Sequence, residues 1–450
     1  MINLPDPELA ESYLTVSVIG CGYLGAVHAA SMAALGHTVI GLDVDQPKID
    51  RLAQGRPPFY EPQLAELLSD GVGVGRLRFG TDPAEVRQAR IHFLCVGTPQ
   101  QQGSYAADLR HLDAAVDGLL PYLKPGDLVV GKSTVPVGTA ARLRDRIHAV
   151  EPAAVLAWNP EFLREGHAVK DTLAPDRLVY GVPDDATGDV AVELLNRVYA
   201  KALANSTPVV ITDYPTAELT KVAANAFLAT KISFINAMAD LCEAAGGDVV
   251  QLADAIGHDR RIGRRFLGAG LGFGGGCLPK DIRAFVARAD ELGAGSSVTF
   301  LREVDAINLR RRSLMTELAV EASGGSVAGR RIAILGAAFK PESDDIRDSP
   351  ALDVAEQLTT LGARVVITDP QAVDNVARSH PRLSVTTSLD DAVDCADLVL
   401  LLTEWRQYVQ LDPTVLRELV DRPVILDGRN ALDPDRWRAA GWTYRGMGRR

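Results

Sequence analysis

Residues 14–45 read LTVSVIGCGYLGAVHAASMAALGHTVIGLDVD: a strand, a glycine turn, a helix and a second strand in close succession. Val16, Val18 and Ile19 give the first strand an apolar interior. Gly20, Gly22 and Gly25 follow as GxGxxG, the helix continues to Leu35, and Gly36 stops it. Asp43 closes the second strand 23 residues after Gly20, near the ~20-residue spacing of a dinucleotide-binding fingerprint. Glycines let a pyrophosphate approach bare backbone at a helix N-terminus. A carboxylate at Asp43 suits adenosine ribose hydroxyls and repels a 2′-phosphate, so NAD is expected over NADP. The plainer alternative is a tight strand–helix turn that holds no ligand.

Outward from this unit, ARIHFLCVG (89–97), DLVVGKST (127–134) and AVLAWNP (154–160) are further strand candidates. Each ends in polar or turn residues, and in a doubly wound sheet those carboxyl ends line the ligand crevice. From 212 to about 245 the pattern is helical, and a second helical stretch covers Ser297–Ala322. SGGSVAGR (323–330) has linker composition. After it the opening pattern recurs in RRIAILGAAFK, ARVVITDP, ADLVLLLTEW and RPVILDGRN. The expected fold is therefore α/β, two Rossmann-type doubly wound domains joined by a central helical region. The expected boundaries are 1–205 for an NAD-binding domain, 206–325 for a helical dimerisation region with the catalytic loop, and 326–450 for a second Rossmann-like domain. The second turn reads GAAFKPESDDIRDS, where Asp344 and Asp345 would repel a pyrophosphate. A different ligand is expected there, held by Lys340, Arg347 or Arg429.

The bulk numbers narrow the class. With 450 residues, 47% apolar and 23% charged, the chain has the composition of a globular protein with several domains. A net charge of −11 argues against non-specific nucleic-acid binding. No apolar run is expected to approach the ~18 residues of a membrane span. MINLPDPELAESY lacks the basic and apolar regions of a signal peptide and reads as an N-terminal extension. Five scattered cysteines without a CxxC pair fit a reducing cytoplasm. Eight histidines without clustered spacing suggest no metal site.

GFGGGCLPKD (272–281) carries the chemistry. Pro279 suits a first helical turn, and Ile282, Phe285, Val286, Ala289 and Leu292 repeat with helical spacing. Cys277 therefore falls at a helix start, where the dipole lowers a thiol pKa and Lys280 adds positive charge. The glycines leave room for a substrate against backbone amides, and Asp281 lies one turn on. The alternative is a small buried hydrophobe, which fits Cys21, Cys95, Cys242 and Cys395. Lys221 and Asn225 stand at i and i+4 in ELTKVAANAF. Lys221 is either a partly buried base or a surface lysine with its head in water. Glu161 and Glu165 in NPEFLREG offer a base or merely two exposed acids. GHDRRIGRRF is a phosphate-binding element or a solvated basic face.

These motifs together are similar to the UDP-glucose/GDP-mannose dehydrogenase family of nucleotide-sugar dehydrogenases. The likeness runs through GCGYLG, GTPQ, KSTVPVG, NPEFLREG, ELTKVAANAFLATKISFINA, DRRIG, GFGGGCLPKD, FKPESDDIRDSP and DGRN, in that order. It implies oxidation of UDP-glucose to the acid by two NAD molecules, or the same reaction on GDP-mannose or another nucleotide sugar. Cys277 would be the nucleophile, passing through a thiohemiacetal and a thioester. Lys221 and Asp281 would handle protons with Asn225 beside them, and Glu161 and Thr134 would place the hydrolytic water. NAD would meet Gly20, Gly22, Tyr23, Leu24, Gly25, Asp43, Lys48, Val96, Thr98, Pro99, Ser133, Thr134, Glu165, Lys280 and Arg347. The sugar nucleotide would meet Glu161, Phe162, Leu163, Arg164, Glu165, Lys221, Asn225, Arg261, Phe266, Leu271, Phe273, Gly274, Phe339, Lys340 and Arg429. Gly276 before the cysteine and Gln100 in GTPQ depart from commoner residues and bear on sugar and base choice.

Two other classes compete. A simpler hydroxyacid-type dehydrogenase would use only Lys221 and Asn225 and release one NADH per substrate. A nucleotide-binding regulatory protein would turn nothing over. A homodimer is expected, because Val298, Leu301, Val304 and Ile307 form one apolar stripe on the Ser297–Ala322 stretch.

Overall fold

The apolar run after Leu14 forms β1 (Thr15–Ile19) and HTVIGLD forms β2 (Thr38–Leu42), joined by the helix Tyr23–Ala34. The computed structural model describes residues 13–449. The expected N-terminal extension lies, up to Ser12, outside the described residues. The first sheet continues with β3 (Leu77–Gly80), β4 (Ile91–Leu94), β5 (Leu128–Gly131), β6 (Val155–Trp158), β7 (Leu178–Gly181) and β8 (Val209–Thr212). Its order is β3-β2-β1-β4-β5-β6-β7-β8. Every pairing is parallel except β6 with β7. Strands β4 to β7 are buried along their whole length, as parallel strands covered on both faces must be. The winding reverses between β1 and β4, which places a ligand crevice at their carboxyl ends.

The second sheet contains β9 (Arg331–Leu335), β10 (Arg364–Thr368), β11 (Ser384–Thr386), β12 (Leu398–Leu401), β13 (Val424–Asp427) and β14 (Thr443–Gly446). Its order, β11-β10-β9-β12-β13-β14, repeats the winding of the first sheet, all parallel. By its contacts the chain divides into two compact units, one ending at Ala224 and the other beginning at Asn225. The division falls inside the 32-residue helix Tyr214–Ala245. In the second unit Met315, Leu318 and Ala319 of the helix Phe300–Ala322 share one core with β9, β12 and β13. Val327, inside the stretch with linker composition, is buried in that same core.

Three expectations need correcting. Leu301 and Val304 pack with Phe273, Ile282 and Val286 in their own unit, so that stripe is core and offers no docking face. Among the described residues, Tyr214–Ala245 is long and apolar enough, by length and composition, to cross a membrane. Of its most apolar window 44% is buried, and a core helix of a soluble protein passes the same test. Cys395 is exposed, and Cys242 is only half-buried, so apolar neighbours in sequence did not bury either thiol completely.

Candidate active site

At the β1/β4 switch point a cavity of about 470 Å3 is bordered by Gly20, Gly22, Asp43, Lys48 and Val96. The three glycines of the turn do different things. Gly20 has φ +89°, and a Cβ there would lie 2.7 Å from Val96 Cγ1. A Cβ on Gly25 would lie 1.7 Å from the Gly20 carbonyl oxygen, so only glycine lets the helix close on the turn. At Gly22 a Cβ would meet nothing within 4 Å, which leaves bare backbone facing open space. No side chain caps the helix Tyr23–Ala34, so its first amides suit an anion. Asp43 Oδ2 accepts from the Cys21 N–H at 2.8 Å and pairs with Lys48 Nζ at 3.0 Å. The turn itself thus fixes the carboxylate beside the cavity. Pyrophosphate on the bare turn and ribose hydroxyls at Asp43 fit these groups.

The other face of the cavity was missed in the sequence. His111, Ala114, Ala115 and Gly118 line it from the helix Arg110–Leu119. Their i, i+3, i+4, i+7 spacing was the available signal. Tyr23, Leu24, Gly25, Thr98, Pro99, Ser133, Thr134 and Glu165 do not line this cavity. The Tyr23 hydroxyl donates to Glu61. Ser133 Oγ donates to the Val96 carbonyl at 2.7 Å, and Thr98 Oγ1 to the Thr134 carbonyl at 2.6 Å. These hydroxyls bind the carboxyl ends of β4 and β5 to each other.

Lys221 Nζ lies 2.9 Å from Glu161 Oε1, and both side chains are largely buried. This excludes a surface lysine and a pair of exposed acids. Glu161 Oε2 accepts from the Leu163 N–H at 2.5 Å, which folds the loop around the carboxylate. The Phe162 ring carries the Arg177 guanidinium 3.7 Å from its centroid. Arg164 is held away by a 2.6 Å ion pair with Asp171. One turn before Lys221, buried Glu218 accepts from the Gly138 and Ala140 N–H groups at 2.7 and 2.6 Å. A carboxylate on the N-terminus of the helix Thr139–His148 is favourable, and it fixes the segment that bears Lys221. Glu61 works likewise: it accepts from the Gly166 and Ala168 N–H groups, both at 2.7 Å. Glu61 lies outside every quoted motif, and Glu218 opens ELTKVAANAF three residues before Lys221 with nothing in the sequence to show its distant amide partners.

In the second unit Cys277 is the N-cap residue of the helix Leu278–Glu291, with Pro279 in its first turn. The cysteine is exposed. Asp281 is buried, accepts from Asn225 Nδ2 at 2.7 Å, and pairs with Lys280 Nζ at 2.5 Å. The glycines before the thiol do not hold space open. A Cβ on Gly275 would lie 2.8 Å from the Phe339 ring, and one on Gly276 2.4 Å from the Arg347 guanidinium. They let this loop press against the turn after β9, which corrects the expectation of room for substrate there. Asn308 clamps the loop by accepting from the Phe273 N–H and donating to its carbonyl, at 2.8 and 2.9 Å. The side chains of Leu271 and Phe273 are core, so any ligand contact from them is through backbone. A Cβ on Gly274 would lie 2.2 Å from the Asp348 carbonyl oxygen.

Arg429 Nη1 donates to the Gly272 carbonyl at 2.8 Å, and its Nη2 to the Phe339 carbonyl at 3.2 Å. It thereby ties the loop that carries Cys277 to the turn after β9. Arg347 forms a double contact with Asp345, and Lys340 sits 5.4 Å from the Phe339 ring centroid. Arg261 is exposed and pairs with Asp259, and Phe266 has φ +64°. The acid of the second Rossmann turn, Asp369, accepts from the Ala337 and Ala338 N–H groups and from Trp405 Nε1. These contacts close the turn that stays open in the first sheet. Among the described residues no group of three or more His, Cys, Asp or Glu is placed to hold a metal ion.

Comparison with known proteins gives three family-model matches. The UDP-glucose/GDP-mannose dehydrogenase family NAD binding domain matches residues 14–203, its central domain 215–310 and its UDP binding domain 333–434. The chain is 39% identical over 439 residues to a UDP-glucose 6-dehydrogenase of Rhizobium meliloti, covering 97% of this chain and 100% of that one. It is 40% identical over 450 residues to one from Pseudomonas aeruginosa, covering 97% and 98%. A solved UDP-glucose dehydrogenase from Pyrobaculum islandicum superposes with TM-score 0.88 at 36% identity, covering 100% of both chains.

Proposed function

Because the chain belongs to the UDP-glucose/GDP-mannose dehydrogenase family, we propose that it oxidises UDP-glucose to UDP-glucuronate through a covalent cysteine intermediate. The observation that carries the covalent step is Cys277, exposed at a helix N-cap with buried Asp281 one turn on. NAD, when bound, supplies the hydride acceptor for both oxidations. Gly20, Gly22 and the first amides of the helix Tyr23–Ala34 would hold its phosphates, and Asp43 its ribose. Lys221 would take the alcohol proton and then steady the developing oxyanion. The Cys277 thiolate would add to the aldehyde carbon, keeping the aldehyde from leaving. Asp281, oriented by Asn225, would receive and return protons. Glu161 would direct water at the thioester carbonyl, releasing the acid and restoring the thiol, with Thr134 beside that water. The second sheet would hold the nucleotide through Phe339, Lys340 and Arg429.

The curated relatives above are named for UDP-glucose, which favours it over GDP-mannose. Counting NADH against a panel of nucleotide sugars tests this: UDP-glucose should give two NADH per molecule. One NADH per substrate would support the hydroxyacid-type reading, and none the regulatory one. The reading places the reaction in the cytoplasm, where an exposed thiol stays reduced.

Cofactor choice follows from Asp43. Asp43→Asn should lower kcat/KM for NAD by about tenfold, as a charged hydrogen bond to a ribose hydroxyl is lost. It should raise the value for NADP, since the carboxylate that repels a 2′-phosphate is gone and Lys48 remains to meet it. An unchanged NAD/NADP ratio would refute that role.

A homodimer remains the proposed assembly, on a different face. Phe227, Phe234 and Leu241 are 67, 49 and 60% exposed on the helix Tyr214–Ala245. Their seven-residue spacing makes one apolar stripe that a second copy would cover. Light scattering should give a dimer for the native chain and a monomer for Phe227→Glu/Phe234→Glu. A native monomer at micromolar concentration ends the idea.

A further inference from the structure

Lys132 stands immediately after β5, buried, and plays no part in the chemistry above. Its Nζ donates to Asn159 Oδ1 at 2.9 Å, to Tyr199 Oη at 3.1 Å and to the Asn159 carbonyl at 3.3 Å. Three N–H groups thus meet three neutral acceptors. Tyr199 Oη in turn donates to Asn159 Oδ1 at 2.7 Å, and Asn159 Nδ2 donates to the Val179 carbonyl at 2.9 Å. Asn159 is the residue at which β6 gives way to the NPEFLREG loop, two positions before Glu161. The cluster borders a cavity of about 50 Å3 that Glu161 and Phe162 also line.

We infer that Lys132 is a positioning residue whose ammonium pins Asn159 and thereby fixes the Glu161 carboxylate that pairs with Lys221. The inference rests on the reading of Glu161 as a working carboxylate. Removing the ammonium takes one donor each from Asn159 O, Asn159 Oδ1 and Tyr199 Oη in a buried place, leaves only Tyr199 donating to Asn159 Oδ1, and weakens the anchor of the loop head. The Glu161 carboxylate in turn favours the charged form of Lys132.

The device titrates. Burial lowers the Lys132 pKa to about 8, against the opposing pull of Cys95 and Glu161. The groups facing it are His28, Cys95, Glu161 and Tyr199, with Asp171, Asp176 and Arg177 across the cavity. Burial pushes His28 well below its usual range, Cys95 up to about 12 and Tyr199 well above its own. None of these three titrates near pH 8. The positioned state is therefore present below about pH 8 and is lost as pH rises through that value.

The test is steady-state kinetics against pH on the full-length chain, with NAD and UDP-glucose. Lys132→Met should lower kcat about 10- to 100-fold, the size expected when a reacting group is misplaced by about 1 Å. It should leave KM for NAD within about twofold, and the alkaline limb near pH 8 should vanish. Tyr199→Phe, a smaller change that keeps the charge, takes one acceptor from the ammonium. That variant should move the limb to lower pH, a shift no packing defect produces, and it decides the matter if Lys132→Met does not fold. A limb unmoved in both variants, whatever the rate, overturns the inference. Glu161→Gln run alongside separates the layers. If it has full activity, the reading of Glu161 fails. If it is impaired while Lys132→Met is not, only the Lys132 inference fails.

Discussion

Cys277→Ser should abolish formation of the acid while leaving binding intact, with the rate of the second NADH falling at least about 10³-fold. Serine fills nearly the same space, so the N-cap position and the loop packing against Phe339 and Arg347 persist. What changes is the nucleophile. An alkoxide is far harder to form near neutral pH than a thiolate, so the aldehyde is not captured and the second oxidation stalls. Stoichiometry should drop from two NADH per UDP-glucose to at most one. Calorimetric affinities for NAD and for UDP-glucose should stay within a few-fold. Cys395→Ser is the matched control, since Cys395 is also exposed. The neighbouring carboxylates of Asp394 and Asp421 push that thiol's pKa up, so its removal should change nothing. If Cys277→Ser still delivers two NADH at near native rate, the thiol is structural and the covalent mechanism is wrong.

The part of this site that could be read from sequence is the part built from local geometry. The GxGxxG turn sets Gly20, Gly22 and Gly25 within six residues of one another, so its signature is short and contiguous. The same holds for Cys277, because a proline in the first turn and an apolar period downstream announce a helix start. Burial and long-range partnership were not legible. Whether Lys221 sits in solvent depends on Glu161, 60 residues away in sequence, and no periodicity encodes that pairing. Glu61 and Glu218 bind backbone amides of distant segments, and an isolated acid in a sequence looks like any surface acid. The glycines before Cys277 show the opposite failure. Their number suggested space for a ligand, but the atoms that fill the space belong to Phe339 and Arg347, which sequence reading had assigned to another domain. The apolar stripe of the second long helix misled for the same reason, since an amphipathic face does not say whether its partner lies in the same chain.

The ion pair of Lys221 and Glu161 carries the second large expected effect, on stability and rate at once. The two side chains are 6 and 13% exposed, so removing one charge strands the other in a place where water reaches it poorly. Lys221→Met should therefore destabilise the chain by about 3 kcal/mol, the low end for breaking a buried pair because Glu161 keeps some solvent contact. The same variant should lose about 10²- to 10³-fold in kcat, the usual worth of a general base or oxyanion partner. Stability and catalysis then separate in the double variant Lys221→Met/Glu161→Gln. With no charge left to strand, urea denaturation should recover most of the loss, since the two changes act on one interaction and are not additive. Activity should not recover, because the amine proposed to handle protons and the carboxylate proposed to direct water are both gone. A double variant as unstable as the single one would mean that packing, rather than the stranded charge, set the loss. A double variant with restored turnover would remove Lys221 and Glu161 from the mechanism altogether.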